Sequence, residues 1–373
     1  MSLAEGHAFP GPQNFGKHAY GQLLMRFSSW SSLAALLLAL CFGSAELNAQ
    51  PQFPGRTWET ADPAEMGWSV ERLREARAYF HEMGSTAVLI VQGGRVIAAW
   101  GDTRQPVKIH SVRKSFMSAL YGIAVERRQV NLDWTLQELG IDDKPPSLTA
   151  REKQARVRDL LMARSGVYHD AAEETSSMKK RRPPRGSHAP GTFWYYNNWD
   201  FNALGTILRN ETGEDTFAAM EAHLARPLSM EHFTARDGQY AYEEASVHPA
   251  YRMYLTARDL ARFGWLYLNR GRWGDQQVVS TKWVDESIRP WSPNARRGVG
   301  YGYLWWVAMN NMHFRTDMGV GAFSARGNGG QYIVVAPARG IVLVHLNDRS
   351  TNDQLESGQF NELMQRIFDA APR

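Results

Sequence analysis

The chain has 373 residues, of which 43% are hydrophobic and 21% are charged, and its formal net charge is +4. This composition is typical of a globular protein with a sizeable core and excludes a largely disordered chain. A charge so small for this length does not indicate nucleic-acid binding. The one dense basic run, residues 179–185, is interpreted as a solvated loop.

A leader is predicted at residues 1–49, and it ends in a secretory signal peptide. Arg26 is followed by an apolar run at 33–42 and then by small residues before a cleavage site after Ala49. The run is too short for a permanent membrane span, and Met25 is the predicted true start. We therefore expect a periplasmic or secreted protein.

Cysteine usage fits export without disulfides. Cys41 is the only cysteine and lies inside the apolar run, so the processed chain has no thiol. Leu40, directly before it, is not a small residue, and lipid attachment is therefore not predicted. The lack of paired cysteines and of a His-x-x-x-His spacing indicates no zinc site, and no cofactor is implied.

The predicted elements begin with a β-hairpin. Strands at 86–92 and 95–100 flank Gly93-Gly94, a turn sequence typical of hairpins. From Val112 to about Leu224 the apolar periodicity is mostly helical. Strand-like runs return late in the chain, at 301–307, 331–337 and 340–346.

Strands at both ends of the chain, with helices between them, predict an α+β fold with one sheet built from the two chain ends. We assign residues 50–104 and 250–373 to the sheet lobe. Residues 105–249 form an inserted, mainly helical lobe. A cleft between the lobes is the expected ligand site.

Ser111 and Lys114 stand at the head of an apolar-periodic run, 116–125, that predicts a helix. Residues three apart lie on one helix face, so the lysine amine can reach the serine hydroxyl as its base. The helix N-terminus favours a developing alkoxide and lowers the pKa of a nearby ammonium. Two further copies of this spacing lie in a polar stretch and are interpreted as chance matches: Ser176-Ser177-Met178-Lys179 and Ser177-Met178-Lys179-Lys180.

A second candidate motif places Tyr196 two residues before Asn198, and Tyr195 with Asn197 is the competing frame. A phenol beside an ammonium is stabilised as phenolate, so Tyr196 can move protons if Lys114 is near. A third motif, Ala325–Gln331, is rich in glycine and precedes a strand. Its backbone can approach a ligand closely and offer an N–H to an oxyanion.

The order and spacing of these segments resemble the serine β-lactamase and penicillin-binding-protein superfamily. Within it, the chain is similar to the branch of class C β-lactamase-like carboxylesterases and 6-aminohexanoate-dimer hydrolases. The resemblance covers nearly all of the chain that follows the leader. It implies a β-lactamase/transpeptidase-like α+β fold, with an antiparallel sheet flanked by helices.

The resemblance also implies roles for single residues. By motif, Ser111 is the acylated nucleophile and Lys114 is its general base. Tyr196 is the second proton-transfer group, and Asn198 holds the substrate and Lys114 by hydrogen bonds.

The third motif departs from the superfamily pattern. The resemblance implies an oxyanion hole made by the backbone N–H groups of Ser111 and Asn328, next to Gly327. Where lactamases have Lys-Thr-Gly, this chain has Ala325-Arg326-Gly327, so the ammonium that helps to hold a β-lactam carboxylate is missing. Because neighbouring strand residues point to opposite faces, we expect Arg326 not to replace it.

We therefore predict an exported serine hydrolase that acts on a small-molecule ester or amide through a Ser111 acyl-enzyme. Two alternatives remain open. One is a β-lactamase or D-alanyl-D-alanine peptidase, and the other is a non-catalytic protein of the same fold that binds peptidoglycan or a partner. The sequence leaves the oligomeric state open.

Overall fold

The computed structural model describes residues 52–296, 298–352 and 355–372, so the predicted leader lies outside the described residues. None of the helices in these ranges has the length and apolar character needed to cross a membrane. The helices are α1 (Val70–Glu82), α2 (Arg113–Glu126), α3 (Val157–Leu161), α4 (Ser176–Arg181), α5 (Asn198–Thr212), α6 (Thr216–Met220), α7 (Ala257–Leu268), α8 (Thr281–Ser287) and α9 (Ser357–Ala370).

Within the described ranges the strands form one large sheet and three small ones. The large sheet has eight strands in the order β2-β1-β15-β14-β13-β10-β9-β8. A three-stranded sheet has the order β3-β5-β4, and β6 pairs with β7 as β11 does with β12. The strands are β1 (Ala87–Gln92), β2 (Arg95–Gly101), β3 (Val107–Lys108), β4 (Gly238–Ala241), β5 (Ala250–Leu255), β6 (Arg272–Trp273), β7 (Gln276–Gln277), β8 (Ser292–Arg296), β9 (Val299–Tyr301), β10 (Trp306–Ala308), β11 (Met312–His313), β12 (Thr316–Asp317), β13 (Phe323–Gly327), β14 (Gln331–Ala336) and β15 (Ile341–Leu346).

The large sheet is antiparallel throughout and joins the two ends of the chain. Strand β1 pairs with β2 on one side and with β15 on the other, and Leu89 lies opposite Val344. The neighbouring pairs out to β8 are antiparallel as well. The predicted α+β fold is therefore confirmed.

Both faces of this sheet are buried, which explains why its central strands read as nearly continuous apolar runs. Val88 and Ile90 belong to a cluster that includes buried residues of α1 and α9. Leu89 and Val91, whose side chains point the other way, belong to the larger cluster that includes residues of α2, α5 and α7. The sheet thus lies between two helical layers.

One predicted strand is interrupted. Residues 301–307 were expected to form one strand, but β9 ends at Tyr301 and β10 begins at Trp306. At Gly302 a Cβ atom would lie 2.1 Å from the Ser287 carbonyl oxygen, and Leu304 has a φ of 64°. The chain turns here because it packs against the segment that ends α8, a tertiary contact that the local pattern does not contain.

The polar stretch around residues 173–190 also differs from expectation. The sequence predicts a solvated loop for the basic run 179–185, but the first residues of that run belong to the short helix α4. The Thr175 hydroxyl caps this helix by accepting from the Met178 N–H, and the Met178 side chain is buried. One buried methionine and one cap are enough to order a single helical turn within a folded protein.

Candidate active site

Ser111 lies in a single 3-10 turn, His110–Val112, immediately before α2. His110 has a positive φ of 46°, and Val112 is fully buried. The first turn of α2 is anchored by Ser115, whose hydroxyl donates to the Leu304 carbonyl oxygen at 2.8 Å. The serine is therefore presented at the end of a firmly packed helix rather than on a loop.

Lys114 connects the candidate catalytic side chains. Its Nζ atom lies 3.0 Å from the Ser111 Oγ and 2.9 Å from the Tyr196 hydroxyl oxygen. It also donates to the Asn198 Oδ1 at 2.8 Å. Four residues predicted from two separate motifs are thus brought into one hydrogen-bonded group.

The surroundings of Lys114 disfavour its charged form. The side chain is 1% exposed. Burial, and to a lesser extent the positive charge of Arg113, hold the pKa of Lys114 well below its usual value, while Glu173 opposes this shift. Against this shift, the ring centroids of Tyr196 and Phe201 lie 4.4 Å and 4.3 Å from Nζ, a distance at which an aromatic ring favours an ammonium. A neutral amine in this position can accept a proton from Ser111.

The structure brings the Tyr196 and Asn198 frame to Lys114, and not the competing frame. The Tyr195 hydroxyl donates instead to the Met178 carbonyl oxygen at 2.8 Å. The Asn197 side chain caps α5 by accepting from the Trp199 N–H at 3.2 Å. Because Asn197 caps the helix, Asn198 occupies its first turn and faces Lys114.

The aromatic cluster around residue 196 packs on strands β9 and β10 of the large sheet. The ring of Tyr196 stacks on that of Trp306 in β10, with a centroid separation of 5.6 Å and an interplanar angle of 22°. Trp194 contacts both Trp306 and Tyr301 edge-on. These contacts fix the position of the Tyr196 hydroxyl next to Lys114.

Gly327, at the end of β13, lies directly against the segment that carries Ser111. A Cβ atom at this position would come within 2.6 Å of the Ile109 carbonyl oxygen and 3.4 Å of the His110 Cβ. Only glycine permits so close an approach. The next residue, Asn328, lines the same cleft as Ser111.

The turn after Asn328 is held by buried polar side chains. Gly329 and Gly330 have φ values of 80° and 99°. Asn347 Nδ2 donates to the Gly329 carbonyl oxygen at 2.9 Å, and His345 Nδ1 donates to that of Gly330 at 2.5 Å. These hydrogen bonds from the end of β15 fix the conformation of the turn, which its two glycines would otherwise leave free to vary.

Arg326 lines the cleft, contrary to expectation. Side chains along β13 do alternate between the two faces of the sheet, but Ala325 and Arg326 face the opposite way from the prediction. Ala325 is fully buried in the larger cluster, and Arg326 points towards the cleft. The Arg326 Nε donates to the Ser324 Oγ at 2.9 Å, and its guanidinium lies 4.1 Å from the ring centroid of Phe314. A guanidinium therefore stands beside Gly327.

The cleft has a volume of about 970 Å³ and is lined by both polar and aromatic side chains. His110 is one of its lining residues, and burial and the nearby cations Lys108 and Arg113 lower its pKa to about 4. His110 is therefore neutral near pH 7, and as the neighbour of Ser111 it is not a second acid of the site. Among the residues that the structure describes, no cluster of His, Cys, Asp and Glu has the geometry of a metal site.

The two chance copies of the Ser-x-x-Lys spacing lie on α4 at the rim of the same cleft. Ser177 lines the cleft, whereas Lys179 and Lys180 are exposed. The local pattern is thus shared by three segments, but burial of the lysine is found only at Lys114.

A comparison with family models assigns residues 70–361, most of the chain, to the family described as Beta-lactamase. The chain belongs to the Beta-lactamase family. The resemblance to the serine β-lactamase and penicillin-binding-protein superfamily is thereby confirmed, and the chain has the fold of a family of serine hydrolases.

Curated relatives are distant members of the same superfamily. A protein of Escherichia coli strain K12 named "Putative D-alanyl-D-alanine carboxypeptidase" is 22% identical over 214 residues, which are 46% of this chain and 49% of that protein. This chain thus spans about half the length of that relative. A protein of the same name from Escherichia coli O157:H7 is 20% identical over 374 residues, 78% of this chain and 85% of that protein.

Among solved structures, the "Putative 6-aminohexanoate-dimer hydrolase from Bacillus anthracis" has a TM-score of 0.63 and 18% identity to this chain. The superposition covers 85% of this chain and 87% of the other. At this identity the likeness shows a common fold. The likeness does not identify the substrate of this Beta-lactamase family member, which depends on the side chains that line its own cleft.

Several cleft residues carry no local signal in the sequence. Glu173 and Trp306 line the cleft with Arg326, yet neither was a candidate, and Arg326 was expected to point away from the substrate. Glu173 is held in the cleft by cationic side chains of β3, α2 and β5, which are 60 to 80 positions away in the sequence. Trp306 begins β10, whereas the sequence predicts a strand that begins at residue 301. Alternation along β13 places Arg326 only once the direction of a neighbour such as Phe323 is known from the structure.

Proposed function

We propose that the chain is an exported serine hydrolase that cleaves an ester or amide through an acyl-enzyme on Ser111. The observation that supports this is the position of Lys114, a buried amine within 3.0 Å of the Ser111 Oγ and 2.9 Å of the Tyr196 hydroxyl oxygen. A nucleophile, a neutral base and a second proton carrier are the parts that acyl transfer requires.

The chemistry runs in two halves. Lys114 takes the proton of Ser111 as its Oγ attacks the substrate carbonyl carbon, and the N–H groups of Ser111 and Asn328 stabilise the oxyanion. Each such donor typically lowers the barrier by about 3 kcal/mol. The proton that Lys114 has taken then passes through Tyr196 to the leaving group, so both residues return to their starting forms, while Asn198 holds Lys114 and the substrate. Water then releases the acyl group by the same proton path in reverse.

The proposal is tested by Ser111→Ala, which should abolish turnover of short p-nitrophenyl esters without changing the melting temperature. Ser177→Ala is the matched control, because Ser177 lines the same cleft and begins one of the chance Ser-x-x-Lys copies. We expect the control variant to keep the activity of the parent protein. Retained hydrolysis in Ser111→Ala would refute the assignment of the nucleophile.

A second candidate is a D-alanyl-D-alanine peptidase or β-lactamase. The name of the curated relatives supports it, and so does Arg326, because a guanidinium beside Gly327 suits a substrate carboxylate. We rank it second because the chain has alanine at the position of the lactamase ammonium. Faster turnover of nitrocefin, or of a peptide ending in D-alanyl-D-alanine, than of p-nitrophenyl esters would reverse this order.

A further inference from the structure

Glu173 lies at the edge of the cleft and contacts side chains of β3, β5 and α2. Its carboxylate accepts hydrogen bonds from Lys108 in β3 at 2.8 Å and from Arg252 in β5 at 2.7 Å. Arg113 in α2 is 3.5 Å away, and the Glu173 side chain is 15% exposed. Burial opposes ionisation, but Arg113 and the two hydrogen bonds outweigh it and lower the pKa of Glu173 to about 2. The carboxylate is a fixed negative charge and not a proton acceptor.

The backbone of Glu173 orients Asn198. Asn198 Nδ2 donates to the Glu173 carbonyl oxygen at 2.7 Å, which turns the other end of the amide, Oδ1, towards Lys114 at 2.8 Å. Oδ1 is an acceptor only, so it takes one hydrogen of the amine. The lone pair of neutral Lys114 is then free to face Ser111. Glu173 holds this carbonyl in place with a φ of 60°, an unusual conformation for a residue with a side chain.

Two charges of opposite sign act on Lys114 from this side. Arg113 disfavours the ammonium and Glu173 favours it. Arg113 is 3% exposed and also donates to the His110 carbonyl oxygen at 2.9 Å, next to Ser111. The titratable and charged groups that line the cleft or are buried beside Lys114 are Lys108, His110, Arg113, Glu173, Glu174, Arg181, Tyr196, Asp200, Glu243, Tyr251, Arg252, Arg315, Arg326 and Tyr332.

We propose that Glu173 is a positioning residue of this site: its backbone carbonyl orients Asn198, and its carboxylate balances the charge of Arg113 beside Lys114. The inference rests on the proposed function, because it assigns Glu173 an effect on the base of that reaction. It does not require Glu173 to contact the substrate.

The charge is tested by the pH profile of kcat/KM for p-nitrophenyl ester hydrolysis. Glu173→Gln should shift the acidic limb to lower pH by about half a unit or more, because loss of the negative charge disfavours the ammonium of Lys114. It should also lower kcat about tenfold and change KM less, since the geometry of the base is disturbed. Arg113→Gln should shift the limb the opposite way, and the double variant should return it towards that of the parent protein.

Glu231→Gln is the matched control. Glu231 is 16% exposed and also binds two cations, Arg258 and Arg262, but it does not line the cleft. Its loss should affect the melting temperature about as much as Glu173→Gln and leave the acidic limb in place. An equal shift in this control, or an acidic limb that does not move in Glu173→Gln, would overturn the proposal.

The backbone contribution is tested by comparing Glu173→Gly with Glu173→Ala. Both variants lack the carboxylate, but glycine adopts a φ of 60° freely and alanine does not. We expect a higher kcat for the glycine variant; equal values would refute the carbonyl contribution. If Ser111→Ala remained active, the proposed function itself would fail, whereas an inactive Ser111→Ala with unmoved Glu173 profiles would overturn the inference alone.

Discussion

Burial lowers the pKa of Lys114, and three hydrogen-bond partners fix the direction of its amine. The amine is 1% exposed, and its pKa is held well below the usual value, first by burial and then by Arg113. As pH rises through the pKa of Lys114, the neutral base forms and activity should appear. Activity should be lost again as pH falls through the same value, which gives the pH–rate profile its acidic limb.

Lys114→Met tests this assignment at the residue scale. Methionine fills the buried space but has no amine, so kcat/KM should fall by about 10²–10⁴-fold, and the residual rate should lack the acidic limb. Lys179→Met, in one of the chance Ser-x-x-Lys copies, is the control and should behave as the parent protein because Lys179 is exposed. An unchanged acidic limb in Lys114→Met would show that another group titrates.

Site residues whose contacts are local could be predicted from the sequence, whereas those whose contacts depend on the folded chain could not. Ser111 and Lys114 are three positions apart, so their contact follows from the geometry of one helical turn. Arg326 was misjudged because alternation gives the two faces of a strand but not which face meets the cleft. Glu173 was missed because its contacts with β3 and β5 exist only in the folded chain.

At the element scale, α7 lies on the large sheet through a glycine. A Cβ atom at Gly264 would come within 2.5 Å of the Val342 Cγ1 and 2.9 Å of the Ile333 Cγ2, on β15 and β14. Both of those residues belong to the larger buried cluster. The helix therefore reaches its packing distance only because this position has no side chain.

Gly264→Ala should accordingly destabilise the fold by about 1–3 kcal/mol through overpacking. Gly358→Ala in α9 should have the opposite sign, because no atom lies within 4 Å of its added Cβ. There alanine should stabilise the helix only slightly, by about 0.5 kcal/mol at most, because Gly358 is the second residue of α9 and not in its interior. Urea unfolding of both variants measures the difference, and a Gly264→Ala variant as stable as the parent would contradict the close packing of α7.

Elements with strong local signals were predictable from the sequence. The hairpin at Gly93-Gly94 is present as β1 and β2, with both glycines at positive φ. The run 301–307 was not resolved into β9 and β10, because its turn is imposed by contact with Ser287 and by the hydrogen bond from Ser115 to Leu304. Local propensity was outweighed by packing.

At the scale of the whole molecule, buried histidines make stability depend on pH. His345 is fully buried between Gly330 and Ser85. Burial lowers its pKa from 6.5 to about 4, although the bond to Gly330 opposes the shift. His110 has a similarly lowered pKa. Below about pH 6.5 the unfolded chain therefore binds protons that the folded chain does not, and stability should fall as pH drops towards 4.

The expected slope is up to about 1.4 kcal/mol per pH unit for each proton taken up on unfolding. His345→Gln should be less stable than the parent at pH 7 but should lose less stability between pH 6.5 and 4. Melting temperatures across this range measure both effects. An equal slope in the parent and in His345→Gln would show that this buried imidazole does not titrate on unfolding.

The central claim concerns Ser111, and the most direct measurement is covalent labelling with a fluorophosphonate probe followed by peptide mass spectrometry. We predict one adduct per chain, on the peptide that contains Ser111, and none after Ser111→Ala. The Ser177→Ala protein should label as the parent does. A protein that is folded but takes up no probe, or an adduct on another serine, would contradict the account and favour a binding protein of the same fold.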